Sequence, residues 1–260
     1  MPSKHTLPKL EGVTNFRELG GLQTRDGHRV RARRVFRSGH WGGATASDQA
    51  LMRELEIGRV FDFRSQVDLS YDGQDKLPEE VEHIALPTSD PAMIADVRKQ
   101  VAESGPKVLY EIFGEGRAAE FMCLSASRLV TERVDTYGGF LSKLAEPGSP
   151  AVLFHCSAGK DRAGWAASCL LLALGVEEEA VVEHYLLSNE YYEPTKQGFA
   201  KMDPELVELL RPLSGVRAEY VQASIEAASE RFGSLDGYFR EGLGLTDSQF
   251  EQLARNWLED

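Results

Sequence analysis

Cysteine is scarce in this chain. Cys123, Cys156 and Cys169 are the only three in 260 residues, too few and too scattered for a disulfide framework or a zinc site. Long apolar runs are missing as well, and the opening Met1-Pro-Ser-Lys-His has no apolar signal core. Both absences argue against stable membrane insertion and make a cytoplasmic location the expectation. Basic residues are outnumbered, with 29 Lys and Arg against 41 Asp and Glu and a net charge of −12. That balance excludes nucleic acid as the main partner while leaving room for a local basic pocket. His28, His40, His83 and His184 share no ligand spacing, so no metal is expected, and no cofactor either. No internal repeat or low-complexity tract stands out. What remains is a chain with 42% hydrophobic residues, enough to bury a full core as one domain spanning 1–260.

The order of patterns predicts an α/β fold: a central, mostly parallel sheet flanked by helices, with a helical C-terminal part. Strands are expected at Arg29 to Ser38, Arg59 to Ser65, Val81 to Leu86 and Ala151 to Phe154, and Arg25-Asp-Gly-His28 reads as a turn. Helices are expected from Thr45 to Leu55, Leu129 to Leu144, after Gly164 as far as Gly175, Glu177 to Tyr192, Pro204 to Leu210 and Ala218 to Phe232. Thr246-Asp-Ser-Gln249 has capping-box spacing for a last helix. Residues 92–127 pattern weakly and read as a helical insertion or a lid.

The most informative stretch is His155-Cys-Ser-Ala-Gly-Lys-Asp-Arg-Ala-Gly164, placed between an apolar strand and a helix that is apolar on nearly every side. A strand-to-helix loop of this length can curl its N–H groups and the positive helix end toward one point, where a phosphate would be held. Cys156, near helix dipole and arginine, is suited to act as a thiolate nucleophile, and Arg162 offers a planar fork matched to two phosphate oxygens. Gly159 permits the backbone turn and Gly164 close packing at the helix start. Ser157, Ala158, Gly159, Lys160 and Ala163 complete the expected substrate-binding loop. The chemistry that fits is phosphoryl transfer to Cys156 followed by hydrolysis of the phosphocysteine. Two carboxylates are candidates for the acid that protonates the leaving oxygen: Asp90, in a loop after a predicted strand, and Asp161, inside the loop itself. His155, Asp62 and Arg64 are assigned supporting roles, with Asp62 holding Arg64 or a loop. Arg17 and Arg37 either line the pocket or tie loops together.

His155-Cys-Ser-Ala-Gly-Lys-Asp-Arg162 resembles the signature of the cysteine-dependent protein tyrosine phosphatase superfamily, in particular the bacterial group carrying Gly-Lys-Asp-Arg. Asn15-Phe-Arg-Glu-Leu-Gly-Gly21, Phe36-Arg-Ser38 and Asp62-Phe-Arg-Ser65 are similar to other motifs of that group, so the resemblance covers most of the first 175 residues. It implies hydrolysis of phosphotyrosine, and also of phosphoserine, phosphothreonine or phosphoinositides in phosphorylated proteins or lipids. It also implies a helical lid, for which about 185–213 is the candidate stretch. Lys160 is the residue that opens the reading to lipids, as a second cation facing an additional phosphate. Two departures stand out: Ala163 replaces the usual hydroxyl residue after the arginine, and Asp68 stands where the group commonly has Glu. The first keeps a rival open, a phosphate-binding pseudophosphatase without turnover; a sulfurtransferase or arsenate reductase is the remoter alternative.

Overall fold

In the computed structural model the described residues are 7–88, 92–192 and 203–260. Five strands form the main sheet: β1 Arg17–Glu18, β3 Val35–Ser38, β4 Ile57–Asp62, β5 Glu82–Ala85 and β6 Ala151–His155, in the order β1-β3-β6-β4-β5. β3, β6, β4 and β5 run parallel, and β1 pairs antiparallel with β3 at one edge. A small second sheet joins β2 Arg29–Val30 to β7 Leu258–Glu259.

β6 has strands on both sides and layers on both faces, so all five of its residues are buried. Its side chains divide by the two-residue period of a strand. Val152 and Phe154 join the large core with Phe61, Phe63, Phe140 and Trp165, whereas Ala151 and Leu153 join Phe36, Trp41, Met52 and Val60 on the other face. The helices of the first layer are α6 Val134–Leu144, α7 Arg162–Ala173, α8 Glu178–Leu186 and the helix Ala218–Phe232; α1 Ala46–Glu54 serves the second. α2 Gln66–Asp72 follows β4 directly.

Between β5 and α6 lie α3 Ala92–Ser104, α4 Val108–Phe113 and α5 Arg117–Glu132. Residues 92–127 are therefore helical, and they build a third, smaller apolar cluster in which Leu109, Phe113 and Ala118 meet Leu206. Capping boxes start α1 at Thr45 and the last helix, Asp247–Trp257, at Thr246.

Three boundaries differ from expectation. Arg29 to Ser38 is two strands in two sheets, because the chain turns between them and Arg33 takes a left-handed backbone at φ 56°. The helical spacing from Leu129 runs across a break at Arg133, whose φ of −124° and ψ of 31° leave the helical region between α5 and α6. Glu177 to Tyr192 breaks at Leu187 into α8 and the short helix Ser188–Tyr191.

Candidate active site

Ser38, His155 and Asp62 are register partners across β3, β6 and β4, so the loops leaving these strands start from one level of the sheet's carboxyl edge. Open parallel sheets bind ligands at this edge. The loop after β6 is held there by its carbonyl groups. The His155 carbonyl accepts from Phe63 N–H at 2.9 Å and that of Ser157 from His40 N–H at 3.0 Å. Asn15 Nδ2 donates to the Ala158 carbonyl at 3.0 Å, and Arg37 Nη2 to those of Gly159 and Lys160 at 2.6 and 3.1 Å. His155 Nδ1 sits 3.1 Å from the Cys156 carbonyl. With the carbonyls turned out to the scaffold, the peptide N–H groups turn the other way. Among the described residues none of the N–H groups of Ser157 to Asp161 has a protein acceptor. A ring of inward donors at the start of α7 is a site for an anion.

Gly159 makes the curl feasible. Its φ is +70°, and a Cβ there would lie 2.2 Å from the Ser38 carbonyl oxygen. Gly164 has the packing role expected of it, since a Cβ would meet Tyr185 at 2.7 Å.

Cys156 and Arg162 face one pocket of about 530 Å³, which Ser157, Ala158 and Asp161 also line. Arg162 is aimed by Asp68: Nη1 donates to Asp68 Oδ2 at 2.6 Å and Nη2 to Oδ1 at 3.3 Å, while Nη1 also reaches the carbonyls of Thr88 and Phe63. Burial would push the Asp68 carboxyl up, but the Arg162 bonds and charge, with Ser65, prevail and bring it to about 2. Asp68 is at the same time the third residue of a capping box with Ser65, which fixes its rotamer. The shorter Asp in place of Glu thus still spans the distance.

Lys160 departs from the position expected of it. Its ammonium donates to the carbonyls of Leu213, Ser214 and Gly215 at 3.0, 3.0 and 3.3 Å and lies over the Tyr192 ring, so its three donors face the chain rather than the pocket. Asp161 is the reverse case: among the described residues its carboxylate has no hydrogen bond or ion pair, and it lines the pocket. Asp90 lies outside the described residues. Ala163 is fully buried behind the loop. Of the proposed lid, Tyr185 belongs to the core, Leu210 and Leu213 line the pocket, and 193–202 lie outside the described residues.

Asp62 holds Arg64 through both oxygens at 2.8 to 3.1 Å, as the sequence suggested. Missed in the sequence was Asp75, which joins Arg64 at 2.7 Å, places Oδ2 3.1 Å from His155 Nε2, and accepts from Trp41 N–H. Asp62, Asp75, His83 and His155 bring ligand atoms within 4.8 Å of one another. The Arg64 fork already supplies the cation there, so the cluster reads as a brace around His155, open to solvent at His83, rather than a metal centre. Asn15 and Thr88 were missed as loop and arginine supports, whereas Arg37 takes the loop-tying alternative. Arg37 ties the loop through carbonyls rather than the expected carboxylates, and Arg17 ties Asn15 to Ser188 and the His184 carbonyl.

Fold and loop together define an α/β protein whose central strand delivers a cysteine and an arginine to an anion cradle. Comparison with known proteins agrees with that class. The sequence model described as "Tyrosine phosphatase family" matches residues 8–259. A Cupriavidus necator protein, whose name provisionally assigns it tyrosine-protein phosphatase activity, is 32% identical over 260 residues, covering 95% of this chain and 87% of that one. The triple specificity protein phosphatase PtpB of Mycobacterium tuberculosis is 29% identical over 263 residues, covering 90% and 92%. The chain belongs to the tyrosine phosphatase family, and it is a phosphatase. Among the described residues no helix is long and apolar enough to cross a membrane.

Proposed function

We propose that the chain hydrolyses phosphomonoesters, phosphotyrosine among them, with Cys156 as nucleophile, Arg162 as phosphate clamp and Asp161 as general acid. The observation that supports this reading is the outward anchoring of the loop carbonyls from His155 to Lys160, which leaves the N–H groups of Ser157 to Asp161 without protein acceptors among the described residues, ready to bind an anion next to Cys156. The thiolate of Cys156 attacks phosphorus, and the bond from phosphorus to the ester oxygen breaks. The loop N–H groups and Arg162 stabilise the charge on the equatorial oxygens as the geometry flattens. The leaving oxygen takes a proton from Asp161. Water then attacks phosphocysteine, Asp161 accepts its proton, and phosphate and the Cys156 thiolate are released. His155, braced by Asp75 and in contact with the Cys156 carbonyl, is a positioning residue in this scheme.

The test is steady-state release of phosphate from p-nitrophenyl phosphate by wild type, Cys156→Ser and Asp161→Asn. Wild type turns over continuously, Cys156→Ser loses at least about 10³-fold in kcat, and Asp161→Asn loses the alkaline limb of the kcat/KM profile. Equal rates for wild type and Cys156→Ser would overturn the mechanism. A single burst from wild type would favour the pseudophosphatase, for which Ala163 is the one structural argument.

A further inference from the structure

The pocket above Cys156 is much larger than a phosphate needs. Its volume of about 530 Å³ is that of a site for a whole small molecule. The cradle forms only one end. The other end is a wall of helices α3, α4 and α5, presenting Val97, Leu109, Phe113, Phe121 and Met122, with Leu213 beside them.

The charges of the pocket are as informative as its apolar wall. Asp68, Asp72 and Asp161 line it against Arg98 and Arg162, and Asp68 is already paired with Arg162. Lys160, the cation that would meet a second phosphate, spends its three donors on carbonyls. A ligand carrying several phosphates would therefore place the outer ones among Asp72, Asp161 and an apolar wall, with Arg98 as the second cation of the described lining. A ligand carrying one phosphate and an apolar body would satisfy both ends.

Resting on the reading of the loop as a phosphatase site, we propose that the preferred substrate is an amphiphile with a single phosphomonoester on a long alkyl or alkenyl chain. The phosphate sits in the cradle and the first part of the chain lies along α3, α4 and α5. Burial of the chain draws the substrate in, and specificity is set by length and apolarity rather than by further charges.

The experiment is hydrolysis of butyl, octyl and dodecyl monophosphate below the concentrations at which they form micelles, with p-nitrophenyl phosphate, a phosphotyrosine peptide and a soluble inositol polyphosphate alongside. The full-length chain should show kcat/KM rising about threefold per buried methylene over the first carbons, so that dodecyl exceeds butyl phosphate by at least about 100-fold, with the inositol polyphosphate the poorest substrate. Val97→Trp, which fills the wall end of the pocket, should reduce the ratio of dodecyl to butyl phosphate by at least about tenfold. A flat alkyl series, or preference for the polyphosphate or the peptide, while p-nitrophenyl phosphate is hydrolysed would overturn the inference and leave the phosphatase reading intact. No hydrolysis of any substrate would instead defeat the phosphatase reading. In that case calorimetric titration of Cys156→Ser with the same alkyl series decides the inference by itself: Kd tightening with chain length upholds it, and a constant Kd overturns it.

Discussion

Removing the Asp68 carboxylate should damage both stability and turnover, and the two can be separated. The carboxyl sits at about 2 against an ordinary 3.8. At about 1.4 kcal/mol per pH unit that separation is on the order of 2 kcal/mol. Asp68→Ala also takes the carboxylate from the Arg162 guanidinium, only 8% exposed, leaving it the Phe63 and Thr88 carbonyls, so the full cost should reach about 3 kcal/mol. About 1 kcal/mol of this belongs to the capping box with Ser65. Asp68→Asn dissects the two, since it retains an acceptor for the Ser65 N–H but loses the charge opposite Arg162. Chemical denaturation should therefore rank wild type above Asn above Ala. In both variants kcat/KM for p-nitrophenyl phosphate should fall about 10²-fold, because the fork is no longer aimed. The pH dependence follows from the depressed carboxyl: its contribution is complete above about pH 4 and fades as the pH drops toward 2, so wild type should lose more stability over that window than Asp68→Asn. If Asp68→Asn keeps kcat/KM within twofold and shows the wild-type acid profile, then Asp68 does not aim Arg162 and the account of the clamp is wrong.

Three further outcomes test other parts of the site. Gly159→Ala must force a Cβ against the Ser38 carbonyl at a φ of +70°, so it should cost about 2–4 kcal/mol by thermal or urea denaturation and distort the loop; near-wild-type stability would mean that the loop relaxes freely. Lys160→Met should accelerate amide exchange around 213–216 by releasing three carbonyls, whereas an effect confined to KM for multiply phosphorylated substrates would return Lys160 to the substrate role expected from sequence. Ala163→Ser restores a hydroxyl at the buried position directly after Arg162; rapid-quench kinetics should show a smaller phosphoenzyme burst and a higher kcat, and an unchanged burst would show that residue 163 does not limit turnover.

The parts of this protein that could be read from its sequence are those whose cause is local. Ala151 to His155 announces a central strand by being apolar throughout, Gly159 and Gly164 mark where backbone must bend or approach, and Thr246 with Gln249 spells a helix start. Asp68 had a local signature too, the Ser65-to-Asp68 capping spacing, but its bond to Arg162 crosses 94 residues and no periodicity encodes it. Lys160 is the clearest loss: residue type and loop position suggested an outward cation, and only the return of the chain at 213–215 reveals carbonyls to receive it. Asp75 was invisible for the same reason, since its value comes from Arg64, just past β4, and His155, at the end of β6, converging on it.

The floor and the walls of the pocket come from unconnected stretches of chain. Cys156 to Arg162 hang from the middle of the sheet, whereas α3 and α4 stand on a small apolar cluster completed by Ala118, Phe121 and Leu206, and α5 also packs on the main core through Ala119, Met122 and Cys123. Residues 92–113 could therefore be exchanged for another helical segment while α5 stays on the core and Ser38, Asp62, Asp68 and Arg37 keep the cradle in shape. Such a graft would change what the protein accepts without changing what it does to it, which makes this stretch a natural starting place for redesigning selectivity.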